Sequence, residues 1–161
     1  LVNYYFEKDN VDNIGLRYTD IYGYGRKAGT SSFTTKMIEA AALGEKYRVP
    51  FLGDRVDWQF VEDVARLTVK ATRVSTTDTR VFNTKGETTT VREGLEFLRS
   101  LPLETKFETE EGIFGVTWDL GTEKLEDELD FRPEYSMKEG VMETLNAYRT
   151  KNGLDRIDHL S

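Results

Sequence analysis

An apolar run leads into a glycine-rich loop along Asn13-Ile14-Gly15-Leu16-Arg17-Tyr18-Thr19-Asp20-Ile21-Tyr22-Gly23. The run predicts a short strand over residues 13–18, and the glycines that follow predict a sharply turning loop over residues 22–29. Residues 30–32 can cap a helix, which apolar residues at helical spacing continue until Gly44. The stretch therefore predicts a strand, a turn and a helix in succession.

Strands alternate with helices on both sides of this unit. Residues 1–8 have the pattern of the second half of an amphipathic helix, with no initiator methionine or capping residue. Downstream, the sequence predicts strands over residues 47–52, 80–83, 106–109 and 117–120, and helices that begin at Val61, Thr90, Thr122 and Ser136. Two of these helices open with a capping box, Thr90 with Glu93 and Ser136 with Glu139. The alternation is typical of an α/β fold.

Composition argues against several kinds of function. The chain has no cysteine and a single histidine, His159, so it offers neither a disulfide framework nor a zinc site. Its net charge of -7 should repel nucleic acid and anionic membranes. No apolar stretch approaches the roughly 20 residues that cross a bilayer, and the first residues do not resemble a signal peptide. We therefore expect a small-molecule partner and a cytoplasmic location.

The loop contains a textual match to a cofactor motif. Gly23-Tyr24-Gly25-Arg26-Lys27-Ala28 fits G-x-G-x-x-G/A after a strand. In that fingerprint the helix begins within the motif, whereas here the candidate caps come later, at residues 30–32, so the spacing favours glycines that serve the turn. Arg26 and Lys27, together with Arg17 and Arg55, could hold an anion between them or could be ordinary surface charge.

Five segments, in order, resemble those of the extended short-chain dehydrogenase/reductase family, the NAD-dependent epimerases and dehydratases. Residues 15–23 are similar to the family's LRyfNvYGP segment, and residues 56–65 are similar to its RDfvyVdDvA segment. The other segments are residues 81–86, residues 118–120, and residues 129–136 followed by Glu139 and Gly140. Their order and spacing hold from about residue 1 to residue 150.

The resemblance implies the end of a Rossmann-type parallel sheet plus the smaller C-terminal substrate domain of such an enzyme. Residues 1–29 would be a remnant of the Rossmann domain, residues 30–150 the substrate-binding domain with strands shared with the sheet, and residues 151–161 a polar tail. The family's glycine-rich NAD motif and its catalytic Tyr-x-x-x-Lys pair are expected upstream of Leu1. The chain alone should therefore hold no catalytic residue and be inactive, with NAD bound mainly by a missing N-terminal half. The intact enzyme is expected to be a homodimer.

The resemblance also implies a pocket around the loop. Tyr18 and Ile21 would face the cofactor. The implied substrate-binding residues are Thr19, Asp20, Arg26, Lys27, Arg55 and Val56. Nucleotide-sugar relatives hold the diphosphate with an Asn and an Arg, where this chain has Asp20 and Val56; an acid repels phosphate, and valine cannot donate a hydrogen bond.

These departures favour a hydroxylated, carbohydrate-like substrate over a nucleotide sugar. Asp20 would accept hydrogen bonds from substrate hydroxyls, or else it would cap its own loop by bonding nearby amides. Two further functions stay open. One is a UDP-sugar epimerase, and the other is a non-catalytic binding domain that kept only the substrate fold.

Overall fold

The structure, a computed structural model, describes residues 1–74, 77–116 and 119–158, along which helices and strands alternate. The helices are α1 (Val2–Asp9), α2 (Ser32–Leu43), α3 (Val61–Ala71), α4 (Val91–Ser100), α5 (Glu123–Leu129) and α6 (Met137–Lys151). The strands are β1 (Gly15–Arg17), β2 (Ile21–Tyr22), β3 (Tyr47–Val49), β4 (Arg55–Phe60), β5 (Val81–Asn83), β6 (Glu87–Thr90) and β7 (Phe107–Thr109). Within these ranges no helix is long and apolar enough to cross a membrane.

Short, mostly parallel strand pairs organise the described part of the chain. β1 pairs with β5, and β3 with β7, both in parallel. β4 pairs in parallel with β2 and antiparallel with β6, which gives a three-stranded sheet in the order β2-β4-β6. The parallel pairs and the intervening helices confirm the predicted α/β class.

The main core lies between β4 and the helices α2, α4 and α6. Val56, Trp58 and Phe60 alternate along β4 and bury their side chains in this core. Apolar residues of the three helices pack around them, among them Met37, Ile38, Leu95, Leu98, Val141 and Leu145. A smaller cluster joins α3, β5 and α5 through Leu67, Phe82, Leu125, Leu129 and Phe131. Alternation along β4 leaves Asp57 and Gln59 on the face away from the main core.

Local signals place the ends of several helices where the sequence predicts them. Both capping boxes form: the Thr90 side chain accepts a hydrogen bond from the amide of Glu93, and the Ser136 side chain accepts one from the amide of Glu139. Gly44 ends α2 in the left-handed conformation, at φ 70°. These ends depend on residues close together in sequence, which explains why the sequence predicts them.

Two predicted caps need correction. Ser31 and Thr122 occupy the N-cap positions of α2 and α5, but neither side chain makes a capping hydrogen bond. The Ser31 hydroxyl instead bonds to the carboxylate of Asp20. A tertiary contact has therefore replaced the local one at the start of α2.

The strands differ more from the prediction than the helices do. β2, β4 and β6 lie outside the predicted strands, and β2 includes Tyr22, which was expected to begin the loop. Strands as short as β2 depend on pairing with a neighbour more than on intrinsic propensity. The strand predicted over residues 117–120 is absent at Asp119 and Leu120, while Thr117 and Trp118 lie outside the described residues, as does His159.

Candidate functional site

Two turns meet at one edge of the β1-β5 pair. Because β1 and β5 are parallel, their carboxyl ends lie at the same edge, and the chain leaves them through residues 18–20 and 84–86. Ligands of α/β proteins bind outside the carboxyl ends of parallel strands. Residues of the two turns and of β4 are joined here by hydrogen bonds, and we name this group the turn cluster: Thr19, Asp20, Asp57, Gln59, Thr84 and Gly86.

Asp57 links the two turns through its carboxylate. One oxygen accepts a hydrogen bond from the Thr19 hydroxyl, and the other accepts from the amide of Gly86 at 2.8 Å. The residue has no exposed surface. Burial raises the pKa of Asp57 to about 6, although both hydrogen bonds act to lower it; the nearby charge of Asp20 raises it further.

Gln59 makes a second link between the same turns. Its side-chain oxygen accepts from the amide of Thr19 at 3.2 Å and lies 3.2 Å from the Thr84 hydroxyl. Thr84 in turn bonds the carbonyl of Arg17 through both its amide and its hydroxyl, at 3.1 and 3.0 Å. The polar face of β4 therefore sets how the two turns sit against each other.

The structure brings Asp20 and Arg26 together, as two residues of the predicted pocket. Asp20 is 6% exposed, and burial raises its pKa, while the hydrogen bond from Ser31 and the charge of Arg26 act to lower it. The Arg26 guanidinium also donates to the carbonyl of Ile21. This arginine is therefore bound within the loop, beside the one carboxylate of the turn.

The other predicted site residues lie further from this contact. The Tyr18 hydroxyl bonds the Thr68 hydroxyl at 2.6 Å, and Lys27 is exposed in the loop. Arg55 stands at the start of β4, where it donates to the carbonyl of Thr88 at 3.1 Å. Val56 is buried in the main core, on the face of β4 away from Asp57, so the structure does not bring its side chain to the turn cluster.

A Tyr-x-x-x-Lys spacing also occurs within the chain itself, apart from the catalytic pair expected upstream of Leu1. It falls on α1, where the Lys8 ammonium donates to the Tyr4 hydroxyl at 2.6 Å. Phe6, between them in sequence, packs under the Arg80 guanidinium, which precedes β5. The turn cluster lies past the other end of β5, so α1 does not present this pair to it.

The loop of residues 23–28 does not fit a bound pyrophosphate. α2 begins at Ser32, beyond the motif, so its N-terminal amides do not follow the last glycine as the fingerprint requires. A Cβ atom on Gly23 would lie 2.3 Å from Cγ1 of Val61, which shows that this glycine permits close packing on α3. Among the described residues there is also no group of three His, Cys, Asp or Glu side chains placed to hold a metal ion.

Four residues of the turn cluster are not among the predicted site residues: Asp57, Gln59, Thr84 and Gly86. A signal for the first two was present, because polar and apolar residues alternate over residues 56–60 as in a strand with one buried apolar face. Gly86 has no comparable local signal. A Cβ atom there would lie 2.2 Å from the carbonyl oxygen of Trp58, a contact that only the folded chain creates.

Comparison with known proteins identifies a sequence family. The NAD dependent epimerase/dehydratase family matches residues 1–84. No curated protein matches the chain.

Solved structures share the fold over most of this chain. A monomeric L-threonine 3-dehydrogenase from a metagenome is 16% identical, with a TM-score of 0.83. The match covers 93% of this chain and 52% of the dehydrogenase. The L-threonine 3-dehydrogenase of Trypanosoma brucei is 19% identical, with a TM-score of 0.79 and coverage of 94% and 50%. The UDP-glucose 4-epimerase of Thermotoga maritima, solved with UDP-glucose, is 24% identical, with a TM-score of 0.72 and coverage of 93% and 50%.

These likenesses confirm the expected Rossmann-type α/β fold. At such identities they concern the fold alone. The chain spans about half the length of each of these structures.

Proposed function

The chain belongs to the NAD dependent epimerase/dehydratase family, and from this membership we propose that it forms the C-terminal, substrate-binding part of an enzyme that uses NAD on a hydroxylated substrate. NAD, bound mainly by an N-terminal half, would accept a hydride from the substrate. Residues 1–29 would complete the Rossmann domain, residues 30–150 would grip the substrate, and residues 151–161 would form a polar tail. The whole enzyme would be a homodimer.

The turn cluster is the observation that carries the proposal. At the carboxyl ends of β1 and β5 it gathers two carboxylates, of Asp20 and Asp57, and the side-chain oxygen of Gln59. The oxygens of Asp57 and Gln59 are already occupied by hydrogen bonds within the cluster, so Asp20 is the acceptor that we assign to substrate hydroxyls, which donate hydrogen bonds. Arg26, whose charge acts on Asp20, already donates to the carbonyl of Ile21 in its own loop. The cluster therefore suits hydroxyl groups better than phosphates, which the buried carboxylates would repel.

Turnover by the full-length protein tests this proposal. Free sugars, sugar acids and L-threonine are assayed by NADH formation, beside UDP-glucose and UDP-galactose, whose interconversion is followed by chromatography. Loss of one charge-assisted hydrogen bond costs about 1.5–3 kcal/mol, so we expect kcat/KM for the best uncharged or carboxylate substrate to exceed that for a UDP-sugar by about a hundredfold. A UDP-sugar as the best substrate would instead establish the epimerase alternative.

Asp20 provides a matched pair of variants. Asp20→Asn should lower kcat/KM by about tenfold or more, since the amide accepts substrate hydroxyls more weakly than the carboxylate. Asp12→Asn changes an exposed acid that pairs with Arg80, and it should stay within about twofold of wild type. Equal changes of kcat/KM in the two variants would show that Asp20 is not part of the substrate site. A full-length protein that neither binds NAD nor turns over any of these compounds would favour the non-catalytic binding domain.

A further inference from the structure

A buried carboxylate in the middle of β4 calls for a physical explanation. Asp57 is wholly removed from solvent, yet the apolar residues on both sides of it in sequence already anchor the strand in the main core. Burying a carboxylate is unfavourable unless hydrogen bonds compensate for lost hydration. Both oxygens of Asp57 are used, and each bonds a different turn, through Thr19 and Gly86.

We propose that Asp57 is the positioning residue of the turn that carries Thr19 and Asp20, holding it in place by joining it to the turn at Gly86. The inference deepens the proposed function, because it takes residues 18–20 as the substrate turn. A neutral hydroxyl or amide side chain could not accept two such bonds with equal strength, since hydrogen bonds to a charged acceptor are about twice as strong.

Gln59 also bonds the turn that carries Thr19, but its bonds differ from those of Asp57. It bonds the backbone amide of Thr19, whereas Asp57 bonds the Thr19 hydroxyl and is the member that also bonds the amide of Gly86. The charged groups that act on Asp57 are Asp20 in the first turn and Lys85 in the second. Protonation of Asp57 would turn one acceptor oxygen into a donor, so both turns should respond to it together.

Nuclear magnetic resonance of the isotope-labelled chain tests this without a substrate. We expect the amide signals of Thr19 and Gly86 to shift with pH at a shared midpoint near 6, and to lose that shift in Asp57→Asn. Asp54→Asn is the matched control. Its carboxylate accepts from the amides of Phe114 and Gly115, at 2.7 and 3.2 Å, so it should leave the Thr19 and Gly86 titrations intact.

Amide hydrogen exchange gives the second readout. In Asp57→Ala, exchange at Thr19 and Asp20 should rise by about tenfold or more, with core amides such as that of Leu95 unchanged, and Asp57→Asn should recover part of the protection. Separate midpoints for Thr19 and Gly86, titrations that persist in Asp57→Asn, or unchanged exchange in Asp57→Ala would each overturn the inference. Since neither measurement uses turnover, failure of the proposed function would appear only in the enzyme assays.

Discussion

The hydroxyl oxygen of Tyr22 lies 2.1 Å from the position that a Cβ atom would take on Gly140. The same hydroxyl donates to the carbonyl oxygen of Met137 at 3.2 Å, so it ties β2 to the first turn of α6. Gly140 has an ordinary helical backbone within α6. Close approach of a strand side chain, and not backbone conformation, therefore requires glycine here.

Gly140→Ala should lower the free energy of unfolding by about 2 kcal/mol, because overpacking outweighs the about 1 kcal/mol that alanine gains in a helix. Urea denaturation measures the change. In a Tyr22→Phe background the clashing oxygen is gone, and the nearest remaining atoms are Cγ of Phe60 at 2.9 Å and the ring carbon Cζ of residue 22 at 3.0 Å. The same substitution should then cost about 1 kcal/mol less. An equal cost in both backgrounds would contradict the contact.

Asp63 should be the most sensitive acid on α3. It is 4% exposed and accepts from the amides of Glu134 and Tyr135, at 3.0 and 3.2 Å, and from Arg66 at 2.5 Å. Asp63→Ala removes the acceptor of both amides and one of the two carboxylates that pair with Arg66, and it should cost about 3 kcal/mol in urea denaturation. The neighbouring Glu62 is exposed and bonds the Tyr135 hydroxyl, so Glu62→Ala should cost less than about 1 kcal/mol. Similar losses for both would count against this assignment.

The pH dependence of stability should reveal the buried state of Asp57. Burial raises its pKa from 3.8 to about 6, so the folded chain binds this proton more tightly than the unfolded chain does. The contribution of Asp57 to the free energy of unfolding is complete below its pKa in the unfolded chain, and it is lost as pH rises through about 6, its pKa in the folded chain. Between about pH 4 and about pH 7, Asp57→Asn should gain about 2–3 kcal/mol relative to wild type.

Asp54 should show the opposite trend. Partial burial acts to raise its pKa, but the amides of Gly115, Phe114 and Arg55 outweigh this and lower it. The contribution of Asp54 to the free energy of unfolding is present above its pKa in the unfolded chain and is lost as pH falls. The loss of stability in Asp54→Asn should therefore be largest near neutral pH and smaller in acid. Urea denaturation across the pH range compares the two variants. Parallel curves would show that the two environments do not differ as described.

Two N-caps should differ in their contribution to stability. Ser136 accepts from the amide of Glu139 at 3.3 Å, so Ser136→Ala should cost about 1 kcal/mol. Thr122 holds the equivalent position in α5 without a side-chain capping bond, and Thr122→Ala should cost less than about 0.5 kcal/mol. Thermal and urea unfolding of both variants check the difference. A larger loss at Thr122 would contradict the described cap geometry.

The 161-residue chain by itself should not bind NAD with saturable micromolar affinity. The loop of residues 23–28 does not open the helix that follows it, and Gly23 packs against Val61. Calorimetric titration with NAD measures this directly. Saturable binding that Gly25→Ala abolishes would make the loop a cofactor site after all.

Interactions between residues close together in sequence determined where much of the helical structure begins and ends. A capping box needs only two side chains three residues apart, and a left-handed helix end needs a glycine at the right place, so the ends of α2, α4 and α6 could be predicted. The ordered segments over residues 15–23 and 56–65 likewise pointed to the family. Each of these signals lies within a few neighbouring residues.

Tertiary structure alone decided the turn cluster. Thr19 lies 38 residues from Asp57, and Asp57 lies 29 residues from Gly86, so no local pattern can report their contacts. The same applies to Ser31, which could have capped α2 but bonds Asp20 instead, and to Val56, which the core draws to the far face of β4. A polar side chain forms a hydrogen bond only with a group that the fold brings within about 3 Å. Which group that is depends on how the strands pair.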